Sequence, residues 1–325
     1  MAKLTFQKNV YEVNPSKSVL EQLLDEGHKI PNSCRAGICQ ACKMQLVSGQ
    51  LNPQAQQGLP EIQARNGLFL ACCCHPNDDL EVALLDARKI SKEAEVIGHK
   101  MLSSDVLCLR LKTDQKWQAG QVINCIKDDT IIRSYSIASS PSEGFIELHI
   151  RVYPEGRFGN WAKEFLSIGD FLHIEAPFGE CVYEPSSYQH PLLMVSTGTG
   201  LAPIYGVIKD ALNNHHQGSI DVYLAAGEAS HFYYLQELEA LAASYSQLSI
   251  HKVVRRLEST PNDHPDALIQ GDVVDVVLDQ HKQLKGHRVY LCGAPEMVSK
   301  LKKASFMRGA KMQDILCDSF EAAKE

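Results

Sequence analysis

The sequence predicts a chain of three domains: a small α+β unit over residues 1–90, an antiparallel β-barrel over 91–186, and a Rossmann-like α/β unit over 187–325. Three observations carry this. Cysteines crowd one short stretch of the first ninety or so residues. The middle third alternates apolar and polar residues in short runs punctuated by Gly, Pro and Asp, as a barrel does. From about Pro191 short buried runs alternate with helical ones, the pattern of a parallel, doubly wound sheet. A length of 325 residues accommodates two or three such units.

The elements follow in order. KLTFQ and YEVN read as a strand pair turning at Asn9. SKSVLEQLLDEG reads as a helix that Ser18 caps, Glu21 completes as a capping box and Gly27 ends. After the cysteine-rich loop come a strand in CKMQLVSG, turning at Gly49, and a closing strand in DLEVAL. LDARKISKEAEV reads as a linker. The barrel strands lie in VIGHKML, VLCLRLK, QVINCIK, FIELHIRV and FLHIEAPFG, with a helix at NWAKEFLS. In the last third LLMVS, DVYLAAG, LSIHKVV and RVYLCG are strands, while IYGVIKDALNN, YLQELEALAAS and PEMVSKLKKASFMR are helices. No internal repeat or low-complexity tract interrupts them.

Composition narrows the function. Hydrophobic content of 44% and charged content of 22% are those of an ordinary globular protein. A net charge of −7 disfavours nucleic acid as a partner. Residues 1–90 hold nine acidic and nine basic residues, so the charge resides in the rest of the chain. No run of 18 apolar residues is present and MAKLTFQKNV lacks an apolar signal core. A cytoplasmic protein is the expectation, and monomer the default oligomeric state.

Cys34, Cys39 and Cys42 have the spacing C-x4-C-x2-C, and after 29 intervening residues comes the triplet Cys72-Cys73-Cys74. That is the plant-type [2Fe–2S] spacing. Iron in such a centre takes thiolate ligands. Small residues (Ala36, Gly37, Ala41) let the loop curl and bring backbone N–H groups to the sulfurs, and Gly37 can take φ > 0. A zinc site would show paired C-x2–4-C units in two halves, which this chain lacks. With four of the eleven cysteines assigned to iron, the other seven are scattered, which suits a reducing compartment.

Two further stretches carry chemistry. Arg133, Tyr135 and Ser136 in RSYS suit a flavin nucleotide: a guanidinium for phosphate, a ring to lie on the isoalloxazine, a hydroxyl near its reacting nitrogen. Alone, those four residues read more readily as a barrel strand with a core tyrosine and a surface arginine. Gly198, Thr199 and Gly200 follow a buried strand and open a helix, the context of a phosphate-binding turn. Pro203 in the helix's first turn costs no hydrogen bond.

The order of motifs, C-x4-C-x2-C, RSYS, GTGLAP and YLCGAPEM, resembles the ferredoxin–NADP+ reductase superfamily in its form with an N-terminal ferredoxin domain. The resemblance spans essentially the whole chain. It implies a β-grasp ferredoxin domain, an FAD barrel and an NAD domain. Pro76 after the triplet matches the L-x-C-x-x-x-P end of plant-type ferredoxins and so selects Cys72 as the fourth ligand. Gly156 and Gly159 match the pyrophosphate segment, although the family usually carries Ser or Thr where Gly159 stands. Cys292 and Gly293 match the C-G-x-P motif, with the thiol near the nicotinamide, which makes Ser136 and Cys292 the residues beside the chemistry. Phe320 would cover the flavin until NAD displaces it.

Glu228 follows DVYLAAG where an adenosine ribose should lie. An anion there disfavours a 2′-phosphate, and no obvious arginine pair lies nearby to welcome one. NADH is therefore the expected donor. The implied function is a relay from NADH through FAD and the cluster to a partner protein such as an oxygenase, hydroxylase or dehydratase. A stand-alone flavin, ferric or quinone reductase and a non-enzymatic redox sensor are the rivals. His149, His173, His231, His215 and His216 are read as structural or solvated.

Overall fold

The structure is a computed structural model describing residues 2–256 and 268–321. Among these residues the strands form three sheets, one after another along the chain.

The first contains β1 (Lys3–Phe6), β2 (Asn9–Glu12), β3 (Lys43–Ser48), β4 (Leu68–Leu70) and β5 (Leu80–Leu84), in the order β2-β1-β5-β3-β4. β1 and β5 are parallel and the other neighbours antiparallel. Helix α1 (Val19–Asp25) lays Val19, Leu20 and Leu23 against Leu4, Phe6 and Val82. Its start is written locally: Ser18 accepts from the Glu21 N–H while Glu21 bonds back to Ser18. The β1–β2 turn falls at Gln7 and Lys8, both at positive φ, rather than at Asn9. A short helix, α2 (Glu61–Arg65), and β4 add to the elements expected.

The second sheet is antiparallel throughout: β6 (Ser91–Met101), β7 (Val106–Lys112), β8 (Val122–Asp128), β9 (Ile131–Ser136), β10 (Ile146–Arg151) and β11 (Phe171–Glu175), in the order β10-β7-β6-β11-β8-β9. The two outer strands nearly meet, through a bridge between Ile137 and Leu148, so the sheet curls into a near-barrel. Alternating Leu, Ile and Val fill it, as period-2 patterning requires. Half of the expected linker is strand, because β6 starts at Ser91 and pairs with β11. Helix α3 (Arg157–Phe165) starts before the predicted NWAKEFLS.

The third sheet is parallel: β12 (Leu192–Thr197), β13 (Ile220–Ala226), β14 (Leu248–Val254), β15 (Leu268–Gln270), β16 (Arg288–Gly293) and β17 (Ile315–Ser319), in the order β15-β14-β13-β12-β16-β17. Helices α4 (Leu201–Asn213), α5 (Leu235–Ser244), α6 (Val273–Gln280) and α7 (Pro295–Met307) accompany it. Separate apolar clusters pack its two faces, one around Ile204 and Ile208, the other around Val298 and Leu301. β12 lies between β13 and β16, so the direction of winding reverses there. Such reversals open a ligand crevice beyond the strand ends. Among the described residues no helix is long and apolar enough to cross a membrane.

Candidate functional site

The cluster loop is bent into an unusual backbone. Arg35, Gly37 and Gln40 all have positive φ (54°, 77° and 56°). Two of the three are not glycine, and such conformations persist where the surroundings impose them. The bend turns N–H groups onto sulfur: Ala36 and Cys39 N–H lie 3.3 and 3.4 Å from Cys34 Sγ, and Cys34 N–H lies 3.5 Å from Cys39 Sγ. The thiols fall into two pairs, Cys34 with Cys39 and Cys42 with Cys72. Hydrogen bonding from Cys39, then from backbone N–H groups, pulls the Cys34 thiol down to about 5 despite burial. Two thiol pairs ringed by amide donors fit a di-iron centre, one pair for each iron. Cys74 is buried in the domain core. Cys73 faces the loop, and a Cβ on Gly37 would approach its Sγ to 2.7 Å.

Beside the loop opens a cavity of about 460 Å³. Its wall includes Cys34 and Cys39 from the loop, Arg133, Ser134, Tyr135 and Ser136 from β9, Gly156 and Gly159 at the start of α3, Thr199 beyond β12, and Phe320 near the C-terminus. The cluster loop and the second and third sheets therefore all contribute to one cavity. Arg133, Arg151 and Arg157 line it together with the N-terminal turn of α3, so it is suited to a phosphate-bearing ligand. Tyr135, Tyr153, Phe158 and Phe178 supply aromatic surface. Tyr135 is braced by Phe158, ring centroids 5.4 Å apart. The wall thus fits a flavin nucleotide. Gly159 explains its own departure from Ser or Thr: a Cβ there would lie 3.1 Å from the Arg151 carbonyl oxygen and 3.3 Å from Val152 Cα.

Ser136 donates to Asp318 over 2.5 Å. Burial pushes the Asp318 carboxyl up to about 6, and the Ser136 hydroxyl only partly opposes this. Asp318 stands on β17 opposite Cys292 on β16. Of this stretch the sequence points only to Phe320, and Asp318 is missed. Arg151 and Arg157 were missed likewise; a basic residue immediately after the Gly156 turn was the available signal.

Cys292 lies at the end of β16 but is fully covered, and its thiol is 3.6 Å from Cys181 Sγ of the middle domain. Burial, then Cys181, raises it well above the usual thiol range. The thiol does not form part of the cavity wall; Asp318, Ser319, Phe320 and Glu321 do. Gly200 and Gly293 bring two strand ends together. A Cβ on Gly200 would sit 2.3 Å from the Cys292 carbonyl oxygen, and one on Gly293 would sit 2.3 Å from Thr197 Oγ1. Pro203 occupies the first turn of α4 and is buried.

A second cavity of about 310 Å³ opens at the winding reversal, lined by Gly198, Gly227, His231, Arg255, Ala294 and Lys300 among others. Glu228 flanks it between Gly227 and His231 without lining it. One expectation is corrected here. Arg255 and Arg256 do adjoin this loop, through Arg255 N–H to the Ala226 carbonyl and Arg256 N–H to the Gly227 carbonyl. Parallel pairing of β13 with β14 makes neighbours of residues far apart in sequence.

Three family models match along the chain: the 2Fe-2S iron-sulfur cluster binding domain over residues 5–77, the oxidoreductase FAD-binding domain over 93–183, and the oxidoreductase NAD-binding domain over 194–303. Reductase component 1 of terephthalate 1,2-dioxygenase from Comamonas is 30% identical over 317 residues, 94% of this chain and 93% of that protein. The CDP-6-deoxy-L-threo-D-glycero-4-hexulose-3-dehydrase reductase of Yersinia pestis is 27% identical, covering 97% and 96%. A cytochrome P450 reductase from Amycolatopsis has the same fold, with a TM-score of 0.67 at 24% identity over 100% of both chains. The chain belongs to the ferredoxin–NADP+ reductase-like family, in the form that carries a [2Fe–2S] ferredoxin domain. It is an NAD(P)H-dependent flavin and iron–sulfur oxidoreductase.

Proposed function

We propose that the chain carries electrons from NADH through FAD and a [2Fe–2S] cluster to a separate oxygenase, hydroxylase or dehydratase component, working as a monomer in the cytoplasm. Its domains span residues 1–90, 91–186 and 187–325. The observation that carries this reading is the shared cavity, whose wall contains both cluster-loop cysteines and the RSYS strand. When bound, the flavin takes a hydride from reduced nicotinamide and gives electrons up singly, the conversion a one-electron centre needs.

The residues have separable tasks. Cys34, Cys39, Cys42 and Cys72 hold the irons. Arg133, Arg157 and the N-terminal turn of α3, with Gly156 and Gly159, hold the flavin pyrophosphate. Tyr135 supports the ring. Ser136, bonded to Asp318, presents a hydroxyl and holds a proton within reach of the ring's reacting edge. Gly198, Thr199, Gly200 and Pro203 shape the dinucleotide turn, which Gly293 closes. Phe320 would cover the flavin where the nicotinamide must enter, and Cys292, beside Asp318 on the neighbouring strand, would sit near the nicotinamide. Glu228 favours a free ribose hydroxyl over a phosphate. The eleven unpaired thiols support a reducing compartment.

Cys34→Ser tests the relay. It should abolish NADH-driven reduction of a protein acceptor such as cytochrome c while sparing reduction of ferricyanide. Unchanged cytochrome c reduction would favour a stand-alone flavin reductase instead. The donor is tested by kcat/KM for the two cofactors, and a tenfold preference for NADPH would overturn the assignment of Glu228, with Arg255 and Arg256 the residues responsible.

A further inference from the structure

Between the first and second domains lies a closed ring of polar contacts. Lys43 Nζ sits 2.5 Å from Glu175 Oε2, and both side chains are about 5% exposed. Asn124 Nδ2 donates to the same carboxylate oxygen at 2.9 Å. The Ser134 hydroxyl proton is shared between Asn124 Oδ1 at 2.6 Å and the Cys39 carbonyl at 3.0 Å. Arg133 Nη1 adds a bond to the Asn32 carbonyl at 3.2 Å. The ring therefore leaves the cluster loop at Lys43, next to Cys42, and re-enters it at Cys39. On the other side it passes through Ser134, next to Tyr135.

The apolar part of this contact is small, comprising Ala41, Ile126, Ile132 and Cys39. Domains joined by small interfaces move relative to one another by default. A buried ion pair adds little net stability over an apolar pair of similar size, and in some proteins such pairs serve instead to select one geometry. Directional contacts within one residue of both cofactor-bearing segments determine where the two lie relative to each other.

We propose that the Lys43–Glu175 pair is a positioning device holding the cluster loop on the flavin strand throughout turnover, so that the first domain is a fixed rather than a swinging carrier. The acceptor protein then has to reach the outer side of the cluster, because the inner side stays closed. This deepens the relay reading and rests on it.

Lys43→Met and Glu175→Gln in the full-length holoprotein supply the test, the second retaining shape and a hydrogen-bonding group should the first not fold. NADH–ferricyanide turnover should stay within about twofold of wild type, and cluster bleaching after anaerobic mixing with NADH should slow on the order of tenfold or more. Amide hydrogen exchange should rise in residues 32–43 and 122–136 and not elsewhere. Cluster reduction at the wild-type rate overturns the proposal whether or not exchange has risen. Slow reduction with unaltered exchange also overturns it, because the pair would then act on the cluster's charge environment. If the wild-type cluster itself fails to bleach with NADH, the relay reading falls, and that result is distinct from either of these.

Discussion

Gly200 touches the end of a neighbouring strand so closely that its lack of a side chain is a requirement. An added Cβ would meet three backbone atoms of Cys292 and Gly293 within 2.8 Å, and backbone cannot swing aside as a side chain can. Gly200→Ala should cost about 3 kcal/mol in urea unfolding and raise KM for NADH, since overpacked positions shift the backbone. Asp318 makes a prediction of a different kind. Its carboxyl is raised from 3.8 to about 6. The native state thus binds its proton more tightly than the unfolded state, and stability falls as pH rises through that interval. The loss amounts to at most about 3 kcal/mol. Guanidinium unfolding of Asp318→Asn should show this slope removed; an unchanged slope would assign the pH dependence to other groups.

At the scale of elements, β10 carries a buried polar part of the contact between the second and third domains. Glu147 accepts from Arg110 at 2.6 Å, His149 at 3.1 Å and Tyr234 at 3.1 Å, while His149 Nδ1 lies 3.1 Å from the Tyr233 hydroxyl. Cys108 completes a buried group with metal-ligand chemistry, yet the Arg110 guanidinium already neutralises the carboxylate. Burial pushes Glu147 up, but these donors outweigh it and hold the carboxyl at about 2. Its stabilisation is present above 4.5 and disappears as pH falls towards 2, an interval below that of Asp318. Glu147→Gln should cost roughly 1–3 kcal/mol by urea unfolding, since the buried side of the network loses its charged acceptor while the half-exposed Arg110 can turn to solvent. A cost below about 1 kcal/mol would mean solvent replaces the carboxylate. The same scale shows how unevenly elements could be read. Helix α1 was legible because Ser18 and Glu21 announce its start. Strand β17 was not: ILCDS is short, has one buried residue, and is strand because it lies beside β16.

At the scale of the whole molecule, three domains converge on one cavity, and the ion pair securing the first of them is buried. Buried pairs are screened weakly by salt, whereas encounters between separate charged proteins are screened strongly. Cluster reduction by NADH should accordingly hold within about twofold between about 0.05 and 0.5 M salt. If it collapses with salt, the interface must open during turnover. Delivery to a separate acceptor should depend on salt to whatever extent the two proteins steer by charge.

What the sequence determined by itself was local. The spacing of Cys34, Cys39 and Cys42, the RSYS stretch, each glycine turn, and the period of each strand or helix reside within a few neighbouring residues. They sufficed for the three folds and for the class of chemistry. Tertiary structure alone decided what lies opposite what. Lys43 meets Glu175 across 132 positions, Ser136 meets Asp318 across 182, and Arg255 comes to rest beside Ala226 because two parallel strands end together. It also placed Cys292 under cover, with Asp318 beside it on the next strand lining the cavity. The physical reason is that backbone geometry imposes periods of two and 3.6 on neighbours along the chain, whereas contacts across sheets and domains depend on how whole faces pack.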